Sequence, residues 1–354
     1  MEVKSNLARL TPAFVIFVLL LLFAQPTGAA IFGPPKGKVL TGVSDNGTLE
    51  GFQNFTESTG KHPAVLQTFH PWGNGLDLAY ERWQNARVVP MLHISTADDE
   101  TLEEIITPQE IATGAGDAYL WKMNRFFAEK NQRAYIRPLG EPNRCLNAYS
   151  AVYCDGSKRG GEHTTYWYRR AFQRIAVIVR GGRKTVAINR LLRRLHMPHV
   201  QWRKAKQPET MPPAPVSMVW SPLPAGSPKA HGNWPGNYWP GEYFVDWAGT
   251  DFYSNSPYWG DLNKFMRGRP WRGKPVAVTE WGVTGYDDVS FARKMFHWMK
   301  KRPRVRMFSY YRGFGDYDPY DPYYYPAAMQ VMRNKLKDDR FMPFSFGHAR
   351  VRDG

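Results

Sequence analysis

Eight runs of strand length, each apolar almost throughout, punctuate this 354-residue sequence. They are Lys38–Val43, Ala64–Phe69, Val88–Ile94, Ala134–Leu139, Val216–Trp220, Val245–Phe252, Pro275–Thr279 and Val305–Tyr311. A half-buried antiparallel strand alternates apolar and polar residues. A continuous apolar run suits a parallel strand covered on both faces. Most of the starts lie about 24 to 30 residues apart, enough for one strand, one helix and two loops, with longer gaps on either side of the fourth run. The intervening stretches carry helix signals. Thr107-Pro108-Gln109-Glu110 joins a Thr N-cap to a Pro at the first helical position and a Glu at the third. Asp117–Glu129 sets Leu120, Met123, Phe126 and Phe127 on one helical face, and Thr164–Val179 and Asp288–Met299 read similarly. The pattern predicts an α/β chain forming a single (β/α)8 barrel, a TIM barrel, over residues 31–354. A doubly wound sheet would want a Gly-rich phosphate turn after its first strand, and Gly42-Val43-Ser44 is not one.

The start of the chain stands apart from this pattern. Lys4 and Arg9 precede the apolar run Ala13–Ala24, and Gly28-Ala29-Ala30 follows. A basic start, a short apolar stretch and a small-residue exit predict a secretory signal peptide over residues 1–30. The expected destination is secreted or extracellular, or the cell surface if the segment is retained, with no other stable membrane partner. Outside the cytoplasm, Cys145 and Cys154 are expected to form a disulfide, since no Cys or His at ligand spacing supports a metal pair. A 43% hydrophobic composition excludes a disordered or collagen-like chain. The formal net charge of +16 invites a polyanion partner. Nine Lys/Arg and no acid fall within Arg180–Lys206, however, beside the spacing of Leu191, Leu192 and Leu195, which gives a helix one side to dock. The reading adopted is a solvated outer wall, with no nucleic-acid partner; an anionic-polymer surface is the alternative.

Function in such a barrel gathers at the C-terminal ends of the strands. These ends supply His70 and Trp72, His93, Arg137 and Glu141, Trp220, Tyr253, and Glu280 and Trp281. Glu141 and Glu280 close the fourth and seventh strands, which lie across the ring from each other. Two carboxylates flanking a bond are what glycosidic hydrolysis needs, one to donate a proton and one to attack. Arg137 is placed to hold a carboxylate ionised, and Tyr253 to hydrogen-bond Glu280. Trp72, Trp220 and Trp281 are expected to offer apolar faces to sugar rings, with His70 and His93 among the substrate-binding candidates. Asp316, Asp318 and Asp321 lack the Gly and terminal Glu of a calcium loop. The Tyr- and Pro-rich segment around them is read as an aromatic rim, and no metal or organic cofactor is expected.

These residues resemble glycoside hydrolase family 26, best known for β-mannanases. The family's Arg-Pro-x-His-Glu-Met-Asn appears as Arg137-Pro138-Leu139-Gly140-Glu141-Pro142-Asn143. Its fifth-strand pattern matches Val219-Trp220-Ser221-Pro222. Its long sixth-strand block matches Trp239-Pro240-Gly241 through Asp246-Trp247-Ala248-Gly249-Thr250-Asp251-Phe252-Tyr253, the most specific piece. Glu280-Trp281-Gly282 completes the order. The resemblance covers roughly residues 38 to 315. It implies a retaining β-glycosidase acting on a β-linked polysaccharide, mannan endo-1,4-β-mannosidase-like, with Glu141 as acid/base and Glu280 as nucleophile. It also implies Tyr253 as the nucleophile's partner and Trp220 as a sugar-stacking residue. A monomer is expected. One departure stands out: the family's His before the acid/base is Gly140, and His70 or His93, on neighbouring strands, is expected to project into the space. The alternatives are a carbohydrate-binding barrel without turnover, or a member acting on β-glucan or β-1,3-xylan.

Overall fold

In the computed structural model, which describes residues 32–202, 206–313 and 319–342, eight parallel strands close into a ring. The predicted leader over 1–30, Arg203 and Lys204 of the basic segment, and Asp316 and Asp318 lie outside the described residues. The strands are β1 Val39–Ser44, β2 Val65–Pro71, β3 Val89–Ser95, β4 Ala134–Pro138, β5 Val216–Trp220, β6 Trp247–Tyr253, β7 Val276–Gly282 and β8 Val305–Tyr310. Each pairs with the next, and β1 pairs with β8 to close the barrel. The principal helices are α1 Leu49–Thr59, α2 Asp77–Ala86, α3 Pro108–Thr113, α4 Asp117–Glu129, α5 Thr165–Arg180, α6 Thr185–Arg194, α7 Trp259–Met266, α8 Val289–Lys300 and α9 Pro326–Lys335. The predicted capping box forms: Thr107 accepts from the Glu110 amide, and Glu110 accepts from the Thr107 amide.

Two apolar clusters explain why every strand run is continuous. Alternate residues fill the inside of the ring, where Leu40, Val65, Met91, Tyr135, Val219, Trp247, Ala277 and Met307 form a plug with one contribution from each strand. The intervening residues, such as Val43, Leu92, Ile136, Met218 and Val278, join the sleeve between barrel and helices. Both parities are therefore apolar along the lower strand. At about 1.5–3 kcal/mol per fully buried large side chain, the two layers together provide the main stabilisation of the fold. A buried pair between Arg174 on α5 and Asp117 on α4 ties two of the outer helices together.

The basic segment follows α5 and precedes β5, so it lies at the N-terminal end of the strands, away from the barrel mouth. Its helix α6 buries Ile188 and Leu192, while Leu191 and Leu195 pack partly. Arg180 pairs with Asp246 at 2.7 Å. Cys145 and Cys154 form the expected disulfide, closing a loop across a sequence separation of 9 at the opposite, C-terminal end. Replacing both cysteines with alanine is expected to cost about 2–3 kcal/mol, mostly through the freer unfolded chain. Urea denaturation would measure it, and an unchanged midpoint would contradict it.

Candidate active site

Above the apolar plug, the inward positions change chemistry. Gln67, His93, Arg137, Ser221, Asp251, Tyr253, Thr279 and Glu280 converge at the C-terminal ends of β2 through β7. Arg137 is completely buried and central. Its Nε donates to Ser221 Oγ at 2.9 Å, one terminal nitrogen donates to Glu280 and the other to Asp251. Glu280 also accepts from the Tyr253 hydroxyl and, at 2.8 Å, from Gln67 Nε2. Thr279 donates to the far oxygen of Asp251 and meets Ser221 at 2.9 Å.

A β-bulge makes this convergence possible on β7. Strict alternation from Ala277 would turn Thr279 and Trp281 inward and Glu280 outward. The pairing of β6 with β7 slips by one residue there, from Thr250 opposite Val278 to Asp251 opposite Glu280. The extra residue re-aims the side chains, so Thr279 and Glu280 both face the site.

The electrostatics separate the carboxylates. Burial alone would push Glu280 up. The adjacent Arg137 charge and the hydrogen bonds from Tyr253 and Arg137 outweigh it, and Glu280 ends below the usual carboxylate range. Asp251 goes the other way: complete burial, reinforced by the Glu280 and Glu141 charges, raises it well above the ordinary value despite Arg137. Glu280 is therefore the ionised member. An oxygen from each of Glu141, Asp251 and Glu280 lies within 4.8 Å of the others. Among Asp251 and Glu280, the place a cation would take is occupied by the Arg137 guanidinium.

Glu141 lies in the turn beyond β4, at a φ of +50°, with its amide donating to the Ser221 carbonyl at 2.6 Å. A non-glycine residue in this left-handed region is uncommon and clusters at functional sites. Asn143 reaches away from the site: it donates to the Leu223 and Ala225 carbonyls and accepts from the Leu223 amide, bracing the loop after β5.

Gly140 has a steric cause. A Cβ there would stand 2.9 Å from Arg137 Cζ and from His93 Nε2. His93, half-buried on β3, fills that space and accepts from the Gly140 amide at 3.1 Å. Burial first, and the Arg137 charge second, lower His93 to about 3, so the ring is neutral with its proton on Nδ1. Gly140→Ala is expected to lose about 1–3 kcal/mol of stability, because neither neighbour has room to retreat. A thermal unfolding midpoint equal to wild type would contradict this.

Several sequence-derived candidates do not reach the site. Trp220 is fully buried outside the ring, against Trp239, Phe265 and Trp271, with its indole N–H on the Tyr238 carbonyl at 3.0 Å. It follows inward Val219 and precedes inward Ser221, so its parity sends it to the helix layer. Trp281, 2% exposed, is sent out by the bulge and stacks on Phe308 at 4.7 Å. Trp72 packs on Tyr119 and against Gly116. None of the three has a face free for a sugar ring. His70 also points outward and donates to the Asn74 carbonyl at 3.0 Å. The aromatic wall beside Glu280 is instead Tyr253, Tyr311 and Tyr320, with Phe69 against both Tyr311 and His93. Phe69, Asp251 and Thr279 were legible from strand parity; Gln67 shares the inward parity of Val65 but lies mid-strand, where no strand-end search would look. Asp321 pairs with Arg312 at 2.7 Å and caps the Tyr323 amide.

The class this defines is a (β/α)8 barrel with a buried carboxylate–arginine cluster at its C-terminal mouth. Solved structures with the same fold include a family 26 β-mannanase from Bacteroides ovatus, BoMan26A, with a TM-score of 0.60 and 14% identity over 90% of this chain and 95% of that one. The Bacillus subtilis mannanase BCman gives 0.56 and 16%, covering 88% of each chain. A modular endo-β-1,4-mannanase from Cellulomonas fimi gives 0.56 and 14%, over 91% of this chain and 76% of that one. No protein-family model and no curated protein matches the sequence.

Proposed function

We propose that this protein is a retaining β-glycoside hydrolase of the family 26 kind, acting on a β-linked polysaccharide, with mannan as the first candidate. The observation that carries the reading is the ionised Glu280 facing Glu141, with one carboxylate oxygen of each within 4.8 Å of the other. Retaining glycosidases hold their carboxyl groups about 5–5.5 Å apart, whereas inverting ones leave about 6.5–9.5 Å for a water. The fold shared with mannanases at low identity supports the same reading.

In this mechanism Glu280 attacks the anomeric carbon while Glu141 protonates the leaving oxygen. A glycosyl-enzyme forms, and Glu141 then takes a proton from the water that releases the sugar. Tyr253, Gln67 and Arg137 hold the nucleophile ionised and oriented. Tyr253 and Tyr311 supply the apolar ring faces. Export through the N-terminal segment belongs to the proposal, and the disulfide is in keeping with it.

The test is incubation of the purified protein with β-mannan, glucomannan, mixed-linkage glucan and β-1,3-xylan, with reducing ends counted and the first-formed anomer read by NMR. Release of β-anomer from one of them is expected. First-formed α-anomer would overturn the retaining assignment. Binding without release on all four would favour the second reading, a carbohydrate-binding barrel. Gly140, in place of the family's His, is the observation that favours that reading.

A further inference from the structure

Glu141 is not set as the motif around it implies. On its N-terminal side the motif's histidine is Gly140, and His93 occupies the space. On its C-terminal side stands Arg144, which donates from Nη1 to Glu141 Oε2 at 3.0 Å. The two side chains differ in exposure, 44% for Arg144 against 10% for Glu141, so the guanidinium covers the carboxylate from the solvent side. This contact is built on a rigid turn. The Arg144 amide donates to the Glu141 carbonyl at 3.0 Å, and Asn147 Nδ2 donates to the same carbonyl at 2.9 Å. The next residue, Cys145, is bonded to Cys154, and its amide donates to the Ser227 carbonyl at 2.8 Å. Arg159 donates to the Cys145 carbonyl at 2.8 Å. The backbone carrying Arg144 is therefore fixed on both sides.

We infer that Arg144 is the positioning residue for Glu141, holding its carboxylate where it meets the glycosidic oxygen. The inference rests on the glycosidase reading above and goes beyond it. A guanidinium binds a carboxyl oxygen through directed N–H donors, so it fixes the orientation of the group and leaves the other oxygen to face the substrate. Near the same carboxylate stand Arg137, Asp251, Glu280, Tyr253 and Tyr149. Arg137 is already committed to Asp251 and Glu280. The placing of Glu141 thus falls to Arg144.

A merely structural arginine would lower turnover of all substrates alike. A residue that positions a proton donor matters only where the leaving group needs the proton. The experiment compares kcat/KM of wild type, Arg144→Gln and Arg144→Lys on 2,4-dinitrophenyl and methyl β-mannobiosides, with melting temperatures as a folding check. General acid help is worth about 10²–10⁴-fold, so Arg144→Gln is expected to lose roughly 30- to 100-fold on the methyl glycoside and under about threefold on the dinitrophenyl one. Arg144→Lys is expected to recover part of the methyl activity. Equal losses on both substrates, or none on either, would overturn the assignment. A wild type that cleaves no β-glycoside overturns the glycosidase reading instead. The crystal structure of Arg144→Gln then decides Arg144 without turnover: a displaced Glu141 carboxylate supports the assignment, and one unmoved from the wild-type place refutes it.

Discussion

Glu280→Ala is expected to lower kcat on the substrate polysaccharide by on the order of 10⁴-fold or more, since the covalent route closes when the attacking group is gone. The far-ultraviolet circular dichroism should stay native, because Glu280 closes a strand and the apolar plug lies below it. Added azide provides a second readout. In a retaining site the small cavity left by the side chain admits the anion, which attacks the bound sugar from the vacated face and gives an α-glycosyl azide. Activity within tenfold of wild type, or azide rescue giving a β-product, would remove Glu280 from the nucleophile's place.

Arg137→Met carries the largest expected cost in stability. The wild-type guanidinium is wholly buried and faces two carboxylates. Removing one partner of a buried charge network strands the others, and such losses run to about 3–5 kcal/mol. Urea denaturation at pH 7 would measure it; a loss under about 1 kcal/mol would show that the cluster is not held by this cation. The variant also changes the pH profile in a defined direction. In the wild type, burial raises Glu280, and Arg137 with the Tyr253 and Arg137 hydrogen bonds lowers it further than that. The acid limb of kcat/KM, which reports ionisation of the free enzyme's nucleophile, therefore falls below the ordinary glutamate value near 4.5. Without Arg137, burial prevails, Glu280 holds its proton to higher pH, and the acid limb moves up. An acid limb that stays in place in the variant would show that Arg137 does not set the nucleophile's charge.

Most of the barrel was legible in the sequence. The eight apolar runs coincide with the eight strands to within a few residues, because burial on both faces leaves a mark at every position of a parallel strand. The capping box at Thr107 and the face of Asp117–Glu129 were equally readable, being local hydrogen bonds and local spacing. The site was legible as a set of strand ends, and only in part as directions. Arg137, Tyr253 and Glu280 meet, as their strand positions suggested. The three tryptophans do not join them. Large aromatic side chains at strand ends serve a sugar cleft or a helix interface equally well by composition, and only parity separates the two uses.

Parity itself is where sequence and tertiary structure part. The alternation of inward and outward residues follows from the two-residue period of a strand, and it was available for Val219, Trp220 and Ser221. It was not available for β7, where a one-residue slip against β6 turns Glu280 in and Trp281 out. A slip of that kind depends on how two strands distant in sequence pair, so no local pattern announces it. The same holds for Gly140, whose missing side chain is explained by His93 arriving from another strand, and for Arg144, whose role depends on a turn clamped by Ser227 and Cys154. The sequence by itself determined the barrel, its order of strands and the two glutamates at its mouth, because those are written in periodicity and in residue type. Only the tertiary structure decided which side chains face each other across that mouth, because direction there is set by pairing and packing between strands that the chain brings together from far apart.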